Sequence, residues 1–427
     1  MRPTHGQALI FGIIHARYHV QKKSDREYQA VKLHLLLVLA ASCLTSAMIV
    51  RIVDPLVPEI ARDLASNPGT VALLASAFAF PYALGQPILG PLGDALGKAR
   101  IIKWCVGSLA AALALSAIAP TIETLFVARI LAGLAAGGTI PLAIATVGDR
   151  FPLAERQVAL SRLLMAMLLG QLIGVIGSGL IGSYVHWRWV MGIACVLVVA
   201  SFALSVFALK ERPLAVRKPF SIAGMRAGYA LVFANPRAKV CYAAVFIEGV
   251  CIFGLLPYLA VLLEARGAGG IREAGFVLAG LGLGGILFGL FVSAMLKALG
   301  GQMNLIRAGG LLAGIGLLGY AFAGSWPPEA AAFVFTGLGF YMIHNSLQTQ
   351  ATELAPDARG AAVALHAFFF FFGQACGPVL YRLGFETAGQ LSPLPIALAA
   401  AIMAILGFVV ANLLARPLAI RQTAPVP

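Results

Sequence analysis

The amino-acid sequence predicts an all-α polytopic membrane protein, with twelve transmembrane helices in two six-helix pseudo-symmetric halves. Three observations predict it. Of 427 residues, 60% are hydrophobic and 11% charged, whereas soluble domains carry about a quarter charged residues. Apolar runs of about 20 residues, the length that crosses a ~30 Å hydrocarbon core, recur along the whole chain. One long polar stretch divides those runs six and six. This composition excludes an ordinary soluble domain, a disordered chain and a nucleic-acid binder. The net charge of +14 does not alter that, because the bases are spread between apolar runs, as in membrane loops.

Residues 1–31 read as a basic cytoplasmic leader carrying Arg17, Lys22, Lys23 and Arg26. Their apolar run, Ala8 to Ile14, is short and lacks the small-residue cleavage site of a signal peptide. The N-terminal half, 32–209, holds runs at 33–58, 70–92, 100–119, 123–148, 157–184 and 188–209. The central stretch 210–237 is polar and basic, with Lys210, Arg212, Arg217, Lys218, Arg226 and Arg237. The C-terminal half, 238–415, holds runs at 238–263, 272–297, 303–323, 328–352, 360–384 and 391–414, before a short tail, 416–427.

Basic residues orient the spans. With the N-terminus inside, 24 of the 31 Lys and Arg fall on the cytoplasmic side, and Arg62, Arg188, Arg266, Arg272 and Arg382 fall outside. Both termini and loop 210–237 are then cytoplasmic, in a multi-pass protein of the cell's inner (plasma) membrane. Trp187, Trp189 and Trp326 fall at the outer interface, where indole rings concentrate. The six cysteines lie in apolar runs without a CxxC pair. They read as buried free thiols rather than metal ligands or disulfides.

The halves repeat. Gly170-Gln171-Leu-Ile-Gly174 in span 5 returns as Gly373-Gln374-Ala-Cys-Gly377 in span 11, each following an arginine, Arg156 or Arg359, by fourteen residues. One offset of 203 residues aligns all of these. Parallel repeats of this kind are related by an axis along the membrane normal.

Between spans 2 and 3 the chain reads Gly90-Pro-Leu-Gly-Asp94-Ala-Leu-Gly97-Lys98-Ala-Arg100. Gly90 and Gly97 suit a tight turn, and Asp94 can cap or pair with a neighbouring helix end. This loop resembles the G-x-x-x-D-[RK]-x-G-[RK]-[RK] signature of the major facilitator superfamily, with Ala95 and Ala99 in place of two bases. Arg129-Ile-Leu-Ala-Gly133-Leu-Ala135 in span 4 is similar to the superfamily's R-x-x-q-G-x-g pattern. Gly170, Gly174 and Gly179 match part of its antiporter motif, although Val175 stands where that motif has proline. The resemblance covers about 33–415 and lies nearest the twelve-span drug:proton antiporters. It implies the major facilitator fold, a rocking motion of two halves about a central site, and a gating role for Gly90, Asp94, Gly97, Lys98 and Arg100.

Ionisable groups deep in a bilayer cost about 2.5–3.5 kcal/mol on insertion scales, so each needs a reason. In span 1, Asp54 lies ~8 Å below the outer edge, one turn after Arg51; in span 4, Arg129 lies at ~9 Å. Asp54 is therefore expected to pair with Arg129 across the two helices. That pair is either a fixed structural tie or a proton- or substrate-coupled acid with its partner, while Arg51 either competes for Asp54 or binds an anionic substrate. In the other half, Glu248, His344 and His366 stand ~14, ~14 and ~11 Å above the inner edge on spans 7, 10 and 11. Tyr341, His344, Asn345 and Gln348 share one helical face, and His366, Phe370 and Gln374 lie near one line. Glu248 leads the candidates for proton coupling, followed by Asp54, His344 and His366. Arg51, Arg129, Tyr341, Asn345, Gln348, Phe370 and Gln374 are the candidates for lining a substrate cavity.

No GxxxxGK[ST], no HExxH and no nucleophile–base constellation occurs in the sequence. The expectation is no enzyme, no catalytic residue, no metal and no cofactor; the partners are a small-molecule substrate, protons and the bilayer, around a monomer. Proton-coupled efflux of small organic molecules by alternating access is the leading function. Proton symport or facilitated uptake of a metabolite, and a transporter-like receptor that does not transport, remain as alternatives. Single cysteines at Ala215 and Ser325 in a cysteine-free background test the topology: only Ser325→Cys should react with an impermeant reagent added outside, and outside labelling of Ala215→Cys would overturn it.

Overall fold

The structure is a computed structural model that describes residues 32–210 and 221–416. The leader 1–31, the bases Arg212, Arg217 and Lys218, position Ala215, and the tail after 416 lie outside the described residues. Among the described residues every regular element is helical.

Twelve helices are long and apolar enough to cross a membrane. In order they are spans 1 (Lys32–Asp63), 2 (Pro68–Leu96), 3 (Lys98–Ala117), 4 (Ile122–Arg150), 5 (Glu155–Gly182) and 6 (Trp187–Ala208). Spans 7 (Arg237–Ala265), 8 (Ile271–Ala298), 9 (Gln302–Phe322), 10 (Trp326–Glu353), 11 (Pro356–Ala388) and 12 (Leu394–Ala415) complete the set. Each lies within five residues of its apolar run. Connecting turns are capped where the chain must reverse: Thr121 accepts from the Thr124 amide before span 4, and Gly97, at φ 106°, ends span 2. Glycine takes that backbone conformation without the steric cost other residues bear.

The polar stretch 210–237 is not loop throughout. Ile222–Ala234 form a helix, opened by Ser221, whose hydroxyl accepts from the Gly224 amide, and stopped before Asn235-Pro236. A residue preceding proline is pushed out of the helical region. At thirteen residues, roughly 20 Å, this apolar segment is too short to span and merges with its basic flanks in the sequence.

Spans 1 and 7 are both broken at proline. Span 1 runs helically to Val50, turns at Arg51–Val53, passes through a 3-10 turn (Asp54–Leu56) and resumes as Val57–Asp63. Pro55 cannot donate to the Arg51 carbonyl, and the Asp54 amide bonds it instead at 3.2 Å. Span 7 is α-helical to Glu248, a π-turn over Gly249–Phe253, a 3-10 turn over Leu256–Tyr258, and α-helical again to Ala265. Pro55 and Pro257 are equivalent at an offset of 202 residues, and the two 3-10 turns touch.

The sequence repeat is also a packing repeat. Gly170 and Gly174 of span 5 lie against the backbone carbonyls of Leu44 and Met48 in span 1, and Gly373 of span 11 lies against that of Phe246 in span 7. A side chain at either place would meet backbone, so these helices cross closely only with glycine there.

The basic ends of the spans, from Lys32 through Lys98, Arg100, Arg150 and Arg156, share one face of the bundle with the connecting helix. On the opposite face the halves meet through Arg62–Glu264 at 2.8 Å, Arg382 to Thr70 at 3.4 Å, and the close approach of Gly179 to Gly275. At mid-depth the seam continues in rings, with Tyr82 4.1 Å from Phe371 and Phe80 6.2 Å from Phe372. Trp187 stands at the first residue of span 6, at the end of the bundle where it was expected, but is fully buried against protein. Its ring nitrogen donates to Asp63 and its backbone amide to Glu59. Trp189 and Trp326 are exposed.

Pro91 lacks the amide that would bond the Pro87 carbonyl inside span 2; the Tyr229 hydroxyl of the connecting helix donates to that carbonyl at 2.7 Å. Tyr229→Phe should leave it unpaired at a cost of about 1–3 kcal/mol. The expected result is faster amide hydrogen exchange across 222–234; unchanged exchange would show that the bond does not hold this helix.

Candidate functional site

The breaks in spans 1 and 7 place polar side chains on the seam between the halves. Arg51 leaves span 1 where its helix ends, buried to 7% exposure. One guanidinium nitrogen lies 3.4 Å from Asp54 Oδ2. The other donates to the side-chain oxygen of Gln374 in span 11, and the group sits 4.8 Å over the ring of Phe253 in span 7.

Asp54 therefore pairs with Arg51 in its own span and not with Arg129. The 3-10 turn puts positions 51 and 54 side by side, and Arg129 is drawn elsewhere. One of its nitrogens donates to the Ile49 carbonyl at 3.4 Å, and its plane lies 4.4 Å over Phe78. Ile49 stands in the last turn of the first helical segment, where carbonyls have no partner within the helix. Arg129 Nε and Nη2 are buried and have no hydrogen-bond partner among the described residues.

In the C-terminal half, Glu248 closes the α-helical part of span 7 and is 0% exposed. Its Oε2 lies 3.0 Å from His344 Nδ1, and its Oε1 has no partner among the described residues. The His366 ring meets the His344 ring edge-on at 4.9 Å, and Phe340 and Phe370 enclose His344 at 4.8 and 4.5 Å. Phe253 touches both phenyl rings, at 5.0 and 5.1 Å. The two groups of polar residues are thus one array: Asp54, Arg51, Phe253, Phe370, His344, Glu248.

Not every candidate joins it. Tyr341 lies against Gly285 of span 8, Asn345 bonds back to the Tyr341 carbonyl at 3.2 Å, and Gln348 is exposed. Of that four-residue stripe only His344 contacts the acid. Asp94 does not brace the halves against each other through any contact resolved for it. It pairs with Lys98 at 2.8 Å, and Lys98 reaches Asp149 at the end of span 4, 2.7 Å away, all within the N-terminal half. Gly97 makes the turn beside this network and Arg100 follows in the first turn of span 3, but Gly90, expected in that turn, lies inside the span 2 helix, which continues to Leu96. A cleft of about 470 Å³ on the face opposite the basic ends is lined by Glu59, Arg62, Glu264, Arg272 and Glu273, and contains none of the candidates.

Two features went unread in the sequence. Phe253 and Phe340 complete the ring cluster beside His344 and Arg51, and nothing in an apolar run marks one phenylalanine above another. Glu329, 0% exposed in the first turn of span 10, lies 3.5 Å from Arg266. An acid in a first turn reads as a dipole partner, which hid its burial.

Two similar six-helix halves around a buried polar seam, with carboxylates and imidazoles inside the membrane, define a membrane carrier. The comparisons with known proteins agree. The Major Facilitator Superfamily pattern matches residues 39–378, and the chain belongs to that superfamily. It is 25% identical over 370 residues to the uncharacterized MFS-type transporter YwfA of Bacillus subtilis (strain 168), covering 84% of this chain and 86% of that one. It is 26% identical over 350 residues to the chloramphenicol resistance protein of Streptomyces lividans, covering 79% and 86%. Its fold matches the crystal structure of the nucleoside transporter NupG with a TM-score of 0.72 at 16% identity, over 89% of this chain and 98% of that one. The protein is a transporter and not an enzyme.

Because the Asp94–Lys98–Asp149 network lies at the basic ends, away from the array, Asp94→Asn should cut transport about tenfold or more while changing substrate affinity less than twofold, on the scale of one lost charged hydrogen bond. A fall in affinity at unchanged rate, measured by ligand binding beside flux, would place Asp94 in substrate recognition.

Proposed function

We propose that the protein exports small organic molecules across the inner membrane in exchange for protons, by alternating access. The basic face is cytoplasmic, with both termini and loop 210–237, and residues 32–209 and 238–415 are the two moving halves. The observation that carries the reading is Glu248. It is fully buried and its partner is His344, at 3.0 Å. A buried carboxylate without a fixed cation is costly unless it is protonated. Asp54 differs, since an arginine stands beside it at 3.4 Å. The Glu248 carboxyl and the His344 imidazole can share one proton across that contact and pass it on as the halves rearrange, with the His366 ring edge-on to His344 at 4.9 Å.

The rings of Phe253, Phe340 and Phe370 favour planar or amphipathic molecules, because pockets for such ligands combine apolar rings with few polar groups. The likeness to a chloramphenicol resistance protein supports export over uptake.

Reconstituted protein under an imposed pH gradient, with flux read in both directions across a panel of compounds, tests both parts. Glu248→Gln should abolish gradient-driven flux while keeping binding and counterflow of an uncharged substrate. Normal gradient-driven flux in Glu248→Gln, together with its loss in Asp54→Asn, would assign the proton to the other half.

A further inference from the structure

We infer that Arg51 is a latch between the halves: its guanidinium holds the seam closed through Gln374 and Phe253, and it does so only while Asp54 carries its charge. The inference does not depend on where the transported proton is carried. It rests on which half supplies each partner. Arg51 and Asp54 are both in span 1, so their pair persists wherever the halves go. Gln374 and Phe253 belong to spans 11 and 7, so the amide bond and the ring contact exist only when the C-terminal half covers Arg51. Gln374 is buried to 3% exposure, and its oxygen takes the guanidinium nitrogen turned away from Asp54.

This arrangement makes closure conditional. Covering Arg51 removes it from water, and a buried cation is tolerated when it is paired and its donors are satisfied. Asp54 supplies the opposite charge and Gln374 the additional acceptor. The other charged group close by is Arg129, of like sign and engaged with the Ile49 carbonyl and the Phe78 ring. Without the charge on Asp54, closing the seam would bury two guanidinium groups with no counter-ion beside them. The seam would open to let water reach Arg51. Arg51 is thus a positioning residue. It sits deeper in the seam than Arg62–Glu264, the exposed ion pair that joins the same two spans at their ends.

The test uses the full chain in lipid nanodiscs, without substrate or gradient, with spin labels on Tyr184→Cys and Ser325→Cys in a cysteine-free background. These positions stand on opposite halves, on the face where the seam is closed, so their distance distribution reports the closed-to-open ratio. Gln374→Leu should shift that ratio about tenfold toward open, the scale of a lost hydrogen bond to a charged group. Asp54→Asn should shift it the same way, and the double variant should fall well short of the sum, because both changes release one latch. Gln374→Glu, which offers Arg51 a full charge, should shift it toward closed. An unmoved distribution in Gln374→Leu, additive effects in the double variant, or an opening shift in Gln374→Glu would each overturn the inference. Loss of gradient coupling in Glu248→Gln bears on the exchange mechanism and leaves these distances unaddressed, so the two readings fail separately.

Discussion

A lipid-facing bundle cannot solvate a broken backbone, and that constraint organises the seam of this protein. Carbonyls freed by proline or by a helix end inside the membrane must find donors from neighbouring elements. Several such carbonyls do, three of them at or near proline or the breaks of spans 1 and 7. Ile49 accepts from Arg129, Pro87 from Tyr229, and Cys251, within the π-turn of span 7, from Tyr381 at 2.7 Å. Each repair comes from a different helix, so each break also ties two elements together. The kinks in spans 1 and 7 are stable for this reason, and they bring Arg51, Asp54 and Glu248 to the helix seams rather than to lipid.

The two acids of the array, Asp54 and Glu248, are compensated differently, and the difference follows from local backbone. The 3-10 turn of span 1 sets Arg51 beside Asp54, giving a permanent counter-charge. Glu248 ends the α-helical part of span 7, beside Gly249 and Gly373, which let span 11 approach closely enough to bring His366 and Phe370 into the cluster. Its partner is an imidazole, a group whose charge depends on pH. One acid therefore suits holding, and the other suits exchange. A single buried acid would have to do both, and the arginine that neutralised it for the first task would oppose its protonation in the second.

Much of this was legible in the sequence because hydrophobic length and helical rise are nearly one-dimensional quantities. Counting residues from the span ends placed Glu248, His344 and His366 at similar depth, and the three meet. Depth alone does not give azimuth. Asp54 and Arg129 also share a depth, yet Asp54 is held by Arg51, because proline changes the helical register between positions 51 and 54. The side chains of the Tyr341–Gln348 stripe part company for a related reason. A shared face on one long helix is split among several neighbours, so Tyr341 packs on span 8 while His344 meets span 7. Trp187 keeps the depth that indole preference gave it, at the start of span 6, but its burial against Asp63 and Glu59 on a neighbouring span was not visible from its own segment. The connecting helix was hidden by length, being apolar enough to form and too short to cross.

The repeat explains why the latch can exist. Arg51 and Phe253 stand at equivalent positions of the two halves, 202 residues apart, and face each other at 4.8 Å. Residues at such positions meet their own counterparts when the halves close. Two arginines there would repel, and two phenylalanines would leave no polar group to register opening. A cation on one side and a ring on the other attract, by up to about 2 kcal/mol when desolvated. The N-terminal half carries charges at its break, Arg51 and Asp54, and the C-terminal half carries apolar side chains at the matching turn, Phe253 and Leu256. The difference between the two halves thus makes this contact one that distinguishes closed from open.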